Sequence, residues 1–62
     1  MRYGIQYQRS GPVVRRFPTL EIAQVAARER STRESRPIYL TDTLLWRNGS
    51  DGYIETIGGN HA

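Results

Sequence analysis

The sequence predicts an α+β domain in which one helix packs on a four- or five-stranded antiparallel sheet, with the element order ββαβββ. Three observations predict this class. Residues 2–9 alternate between apolar and polar side chains, residues 19–31 carry apolar side chains at helical spacing, and two β-rich runs flank the turn-forming loop 48–52. The 62 residues leave room for one core. We therefore expect a single compact domain over residues 1–57 and a flexible tail over residues 58–62.

Alternation and a turn predict the first two strands. Tyr3, Ile5 and Tyr7 share one side of an extended chain, which is typical of a half-buried strand. Residues 10–12 read Ser-Gly-Pro and favour a turn, and the β-branched run Val13–Phe17 then predicts the second strand of a hairpin. Which side of this second strand faces the core stays open, because the apolar residues at its two ends lie on the same side as an arginine.

A helix follows, and Thr19 is its predicted N-cap because a threonine hydroxyl can accept a free backbone N–H of the first turn. We expect the helix to end between Ser31 and Ser35, before Pro37. At 100° per residue the apolar side chains fall on one broad face, which predicts the side that packs on the sheet: Leu20, Ile22, Ala23, Ala26 and Ala27.

Three more strands are predicted after the helix: Ile38–Thr41, Leu44–Arg47 and Tyr53–Ile57. The segments Pro37–Thr41 and Arg2–Arg9 are the expected edges of the sheet, with backbone groups free to pair with a partner. The side chains predicted to form the core are Tyr3, Ile5, Tyr7, Phe17, Leu20, Ile22, Ala23, Ala26, Ile38, Leu40, Leu44, Trp46 and Ile57.

Composition argues against catalysis, cofactors and metals. There is no cysteine, so neither a disulfide framework nor a thiolate metal site is expected. The single histidine, His61, lies in the predicted tail, and a nucleophile needs a base held firmly beside it. No apolar run is long enough to cross a membrane, and the N-terminal residues lack the apolar region of a signal peptide. We expect a cytoplasmic protein without enzymatic activity.

All nine basic residues are arginine, and the formal net charge is +3. Codon usage in a GC-rich genome explains such a bias, but arginine also makes bidentate contacts and stacks on flat groups as lysine cannot. The predicted binding residues run from the helix end into the next loop, with a second pair before the helix: Arg28, Arg30, Arg33 and Arg36, then Arg15 and Arg16.

The aromatic residues have two interpretations. Tyr39, or Trp46 and Tyr53 near the predicted hairpin, can face outward and stack on nucleic-acid bases. The alternative is that they fill the core, which we favour because the chain has few large apolar residues.

Two family resemblances follow from these segments. The capped alanine-rich helix of residues 17–27, followed by Ile38–Leu40 and residues 45–53, resembles small phage-encoded proteins with a helix on an antiparallel sheet, some of which are CRISPR inhibitors. This resemblance implies a protein that docks on a bacterial defence complex through charged surface residues. Residues 3–21 are also similar to the arm-binding domains of tyrosine recombinases, although the strands predicted after the helix depart from that pattern.

The function hypothesis is a non-catalytic binding protein from a phage or mobile element that engages and inhibits a host protein or nucleoprotein complex. The alternative is a small DNA-binding or regulatory protein that contacts nucleic acid through its arginines. A domain this small often gains stability from a second subunit. A homodimer is therefore an open alternative to a monomer.

Overall fold

The computed structural model describes residues 1–45 and 52–58, and these form one helix on a four-stranded antiparallel sheet. The predicted α+β class is confirmed, but the order is ββαββ and not ββαβββ. The elements are β1 (Tyr3–Gln6), β2 (Val13–Phe17), α1 (Leu20–Glu34), β3 (Ile38–Asp42), a short 3₁₀ turn (Thr43–Leu45) and β4 (Tyr53–Ile57).

The strands lie side by side in the order β2-β1-β3-β4. The prediction that residues 2–9 and 37–41 form the edges is wrong, because β1 and β3 pair with each other at the centre. The hairpin occupies one flank of β1, and α1 carries the chain across the sheet to the other flank. The exposed edges among the described strands are therefore β2 and β4.

The strand predicted at Leu44–Arg47 does not form in its described part. The Leu44 backbone N–H donates to the Asp42 carboxylate at 3.0 Å, and the Thr43 N–H donates to the Arg2 carbonyl at 2.9 Å. These bonds turn the chain at the end of β3. Leu44 is consequently 69% exposed and not a core residue, while Trp46 and Arg47 lie outside the described residues.

The core lies between α1 and one face of the sheet. Ile5, Ile38 and Leu40 are fully buried there against two helix alanines, Ala23 and Ala27. Phe17 is buried with them, and the partly buried side chains at the margin are Tyr3, Tyr7, Leu20, Ala26, Ile54 and Ile57. Most of the predicted core is confirmed. Ala27, which was predicted on the helix side that packs on the sheet, also belongs to the core, and Ile54 is an addition to it.

Ile22 is a wrong core prediction, since its side chain is 48% exposed. The buried stripe of α1 runs through Ala23, Ala27 and Ser31. These small side chains let the helix approach the sheet closely, and the 100° step from Ala23 to Ile22 carries the isoleucine away from it. The helix therefore presents large apolar groups to solvent and small ones to the core.

Both ends of α1 are capped. The Thr19 hydroxyl accepts the Ile22 N–H at 3.2 Å, which confirms the predicted N-cap. Ser35 adopts the left-handed conformation at φ 55°, and the Arg36 N–H then donates to the Ser31 carbonyl at 3.3 Å. Gly58, at φ 74°, follows β4 and lies against the Ser31 side chain. The remaining tail, residues 59–62, lies outside the described residues.

Candidate nucleic-acid interface

The sheet has a second surface, opposite α1, which we call the open face. It consists of two rows of cross-strand neighbours across all four strands. One row is Val13, Gln6, Tyr39 and Thr56, and the other is Arg16, Gly4, Thr41 and Tyr53. In residues 1–45 and 52–58 the α-helix packs on the other side of the sheet, so no helix of the described residues covers this face. Its centre is nevertheless buried, with Gln6 and Thr41 each 1% exposed, and its exposed side chains lie on the edge strands β2 and β4.

A bulge decides which way β2 turns. The pairing of β1 with β2 shifts between Ile5 and Gln6, so that Val13 becomes the neighbour of Gln6 on the open face. Val13 then leans over Gly4, where an added Cβ would lie 2.7 Å from its Cγ1. The facing that sequence alone left open is thus resolved by an irregularity in the ladder.

Two tyrosines dominate the open face. Tyr39 on β3 and Tyr53 on β4 are diagonal neighbours with ring centroids 6.5 Å apart and planes tilted by 53°. The Tyr53 hydroxyl and the Thr56 hydroxyl share a hydrogen bond of 2.7 Å, which restrains the Tyr53 ring. Tyr53 is 40% exposed and Tyr39 half-buried. These two side chains do not belong to the core, contrary to the interpretation we favoured from sequence.

Arg9 brings a positive charge to this aromatic pair. It follows β1, and its guanidinium carbon lies 4.1 Å from the centroid of the Tyr53 ring. Such a cation–π contact is favourable and still leaves guanidinium N–H groups free for an anion. Arg16 adds a second exposed positive charge at the β2 end of the open face.

The acidic side chains of the described residues lie away from the open face. Glu21, Glu29 and Glu34 belong to α1, and Asp42 and Glu55 pair across the ladder with Tyr3 and Leu40 on the helix side of the sheet. The Glu55 carboxylate accepts a hydrogen bond of 2.7 Å from the Gln24 amide of α1. Among the described residues the open face is therefore free of acidic groups, which favours an anionic ligand.

A bidentate ion pair ties the first residues of the chain to β3. Arg2 donates to both carboxylate oxygens of Asp42, at 2.8 and 2.7 Å. The hydrogen bonds from Arg2 hold the pKa of Asp42 below its ordinary value, and the N–H of Leu44 acts in the same direction. The same contact raises the pKa of Arg2. This pair is structural and was not predicted from sequence.

Two of the predicted binding arginines converge on Tyr7. Arg30 donates to the Tyr7 hydroxyl at 2.8 Å, which is the main reason that its pKa is raised, and Tyr7 donates to Glu34 at 2.7 Å. The Arg36 guanidinium lies 4.1 Å from the centre of the Tyr7 ring. Both arginines thus bind a residue at the margin of the core, on the helix side of the sheet.

The other four predicted arginines are spread over separate surfaces. Arg28 and Arg33 are exposed on α1, and in the described part of the chain neither makes an ion pair or hydrogen bond. Arg15 lies on the helix side, with its guanidinium 5.7 Å from the Phe17 ring centre, while its neighbour Arg16 reaches the open face. The six predicted residues do not form one patch.

Sequence reasoning missed Arg9 and gave too little weight to Tyr39 and Tyr53. The alternation of Ile38, Tyr39 and Leu40 is a usable signal, since a core role for the two aliphatic residues directs the tyrosine outward. Arg9 leaves no such signal, because its contact with Tyr53 joins residues 44 positions apart.

The described residues contain no cluster of three or more side chains suited to holding a metal ion, and no helix of theirs is long and apolar enough to cross a membrane. Compared with protein-family models, curated proteins and solved structures, the chain gives no significant match. The resemblances to phage inhibitors and to recombinase arm-binding domains therefore gain no support and stay predictions.

Proposed function

We propose that this chain is a non-catalytic binding protein that holds single-stranded nucleic acid on the open face of its sheet. The observation that carries the proposal is the pairing of Tyr39 and Tyr53 beside Arg9, on a surface to which the described residues contribute no acidic group. This is the nucleic-acid alternative of the sequence analysis, with a different set of contact residues.

The two tyrosine rings can stack on unpaired bases. An open antiparallel sheet with outward aromatic rings is how several small domains bind unpaired bases, because each base offers a flat face whatever its identity. Tyr39 and Tyr53 lie on adjacent strands, so two bases of one strand can contact them in succession. The hydrogen bond between Tyr53 and Thr56 keeps one ring in place before binding, which lowers the ordering cost.

Two arginines can bind the phosphates of the same strand. Arg9 and Arg16 lie towards opposite edges of the open face, one over β4 and the other on β2. A strand that crosses the sheet from β4 to β2 would pass both guanidinium groups with its phosphates. Double-stranded DNA is less suitable, because its bases are stacked inside the duplex and cannot reach the tyrosine rings.

The test is fluorescence anisotropy with labelled oligothymidylate and oligouridylate of about 12 nucleotides, a length within the range of small-domain sites. Tyr39→Ala and Tyr53→Ala should each weaken binding by about 5- to 150-fold, which corresponds to about 1–3 kcal/mol of stacking per base. Arg9→Ala and Arg16→Ala should each reduce the slope of log affinity against log salt by about 0.7.

Arg33→Ala is the matched control, since it removes the same charge from the outer side of α1. The proposal requires an unchanged salt slope for this variant. A slope that falls with Arg33→Ala and not with Arg9→Ala would instead place the phosphates on the helix arginines predicted from sequence.

A protein target is the competing outcome. The tagged protein is incubated with bacterial lysate, with and without nuclease, and the retained material is identified by mass spectrometry. If a defined protein complex is retained after nuclease and free oligonucleotides do not bind, the proposal fails and the predicted inhibitor of a host complex replaces it. If Tyr39→Ala and Tyr53→Ala abolish nuclease-sensitive capture, the open face is the nucleic-acid site.

A further inference from the structure

The outer side of α1 exposes an apolar patch. Ile22 and Val25 are 48% and 50% exposed, and with the half-buried Ala26 they form a shallow groove of about 380 Å³ between Glu21 and Glu29. In a small domain the large aliphatic side chains of a helix usually face the core. Here the alanine stripe occupies the inner side, so the larger aliphatic groups remain available for a contact outside the chain.

The charged residues beside this patch are complementary to the same residues of a second copy. Glu21 and Arg28 are seven residues apart, so they lie within about 20° of each other on the helix surface. Their midpoint falls next to Val25. Two copies related by a two-fold axis that passes the contact at this midpoint, perpendicular to the helices, run antiparallel, and the same flank of both helices lies on the same side of the contact. Glu21 of each copy then lies opposite Arg28 of the other, which gives two ion pairs. Both side chains are exposed, and neither makes an ion pair or a hydrogen bond with the other described residues.

We propose that two copies of this chain pair through antiparallel α1 helices, with Val25 at the centre and two Glu21–Arg28 ion pairs beside it. Val25 packs on Val25 of the second copy, and Ile22 lies next to Ala26 of the second copy. A second copy of the same helix presents both the apolar groups and the two charges in this arrangement. The small size of the domain supports self-association, because additional buried apolar area has a large effect on its stability.

This inference rests on the helix face and is independent of the proposed function. Since α1 and the open face lie on opposite sides of the sheet, the dimer contact covers neither open face and directs the two away from each other. A long single strand could then contact two sheets, and its apparent affinity would exceed that of a short one.

Sedimentation equilibrium of the whole chain tests the proposal. The wild type should dimerise with a dissociation constant in the roughly micromolar to submillimolar range, as suits a small interface. Val25→Asp should weaken the dimer by about tenfold or more, because it places two carboxylates at the centre of the contact.

Charge exchange makes the test specific. Glu21→Arg and Arg28→Glu should each weaken the dimer several-fold, because like charges then face each other at two places. The double variant Glu21→Arg/Arg28→Glu should restore association to within about threefold of the wild type, as double-mutant cycles require of a direct pair. Arg33→Glu is the control on the other flank and should leave the dimer unchanged.

Circular dichroism is used to check that each variant is folded before its sedimentation result is interpreted. A wild type that remains a monomer up to about 1 mM overturns the proposal. A folded double variant that fails to restore the dimer also overturns it, as does an equal effect of Arg33→Glu and Arg28→Glu. Failure of the dimer leaves nucleic-acid binding untouched, since folded monomeric Val25→Asp should still bind a short oligonucleotide with the wild-type salt slope.

Discussion

The two faces of the sheet are built from the same strands but carry different kinds of side chain. The helix side buries aliphatic groups such as Ile5 and Leu40 and pairs its carboxylates, Asp42 with Arg2 and Glu55 with Gln24. The open face carries tyrosines, hydroxyl groups and arginines, and among the described residues no acid. Because successive side chains of a strand point to opposite faces, one strand serves stability on one side and is free, under the proposed function, to serve binding on the other.

Substitution of two adjacent residues of β3 tests most directly whether the two faces contribute differently to stability. Leu40→Ala removes a fully buried side chain and should cost about 2–5 kcal/mol, enough to unfold much of a marginally stable domain. Tyr39→Ala should cost under about 1 kcal/mol, the size of a cross-strand contact, while it weakens nucleic-acid binding. Urea denaturation measures both, and equal losses of stability would contradict a division of labour between the faces.

Gly58 tests how tightly the end of β4 closes on the helix side. Gly58→Ala would place a methyl group on the Ser31 hydroxyl at a backbone angle, φ 74°, that alanine rarely adopts. Overpacking of this kind costs about 1–3 kcal/mol, measured as a lower urea midpoint. Gly11→Ala is the control, because its methyl group would meet no atom closer than 3.3 Å, so a comparable loss there would point to a general effect of removing glycine.

Acid should weaken the helix side through Asp42. Its pKa is lower in the folded chain than in the unfolded one, so its ion pair stabilises the fold above the ordinary carboxyl pKa of 3.8. That contribution disappears as the pH falls through the lower, folded value. Asp42→Asn should reduce the urea midpoint at pH 7 by less than Gly58→Ala does, and should flatten the decline between pH 5 and pH 2, about the range where such carboxyls titrate. An unchanged decline would mean that another carboxyl is responsible.

The smallest effect concerns a position that belongs to neither face. Ser35 ends α1 in the left-handed conformation, at φ 55°, which glycine adopts more easily. Ser35→Gly should therefore raise the unfolding free energy by about 0.5–1 kcal/mol and leave oligonucleotide affinity unchanged. Thermal melting and anisotropy check the two expectations. This variant also provides a more stable background in which Tyr39→Ala and Tyr53→Ala can be compared.

Arginine chemistry explains part of the lysine-free composition. The guanidinium groups of Arg2, Arg9, Arg15, Arg30 and Arg36 each lie over an aromatic ring, at distances of 4.1–6.0 Å from the ring centre. Arg2 in addition makes the bidentate contact with Asp42 that a lysine could not make. Codon usage can explain why lysine is absent, but these contacts give several of the arginines a structural use.

Much of the fold could be predicted because local patterns decide it. The alternation around Ile5, the cap at Thr19 and the aliphatic run at Ile38 each depend on near neighbours in the chain. The described part of the strand predicted at residues 44–47 was wrong because β-propensity could not anticipate that the Asp42 carboxylate would accept the Leu44 N–H. Ile22 was misplaced because residue size at the helix–sheet contact, and not hydrophobicity alone, selects the inner face of α1.

The candidate site was harder to predict than the fold, since its parts are distant in sequence. Arg9, Tyr39 and Tyr53 meet only after the helix has carried the chain across the sheet. The arginine run at residues 28–36 is conspicuous in sequence, but the structure divides it between the Tyr7 contacts and the outer side of α1.

The sequence by itself determined the α+β class, the capped helix, the aliphatic core of the central strands and the absence of disulfides, because each follows from composition or from spacing along the chain. Only the tertiary structure decided which strands form the edges, which tyrosines leave the core, and where the acidic groups are kept. Those properties depend on strand order, on two bulges in the ladder and on the rotation of one helix. They arise from contacts between residues far apart in the chain, which local patterns do not encode.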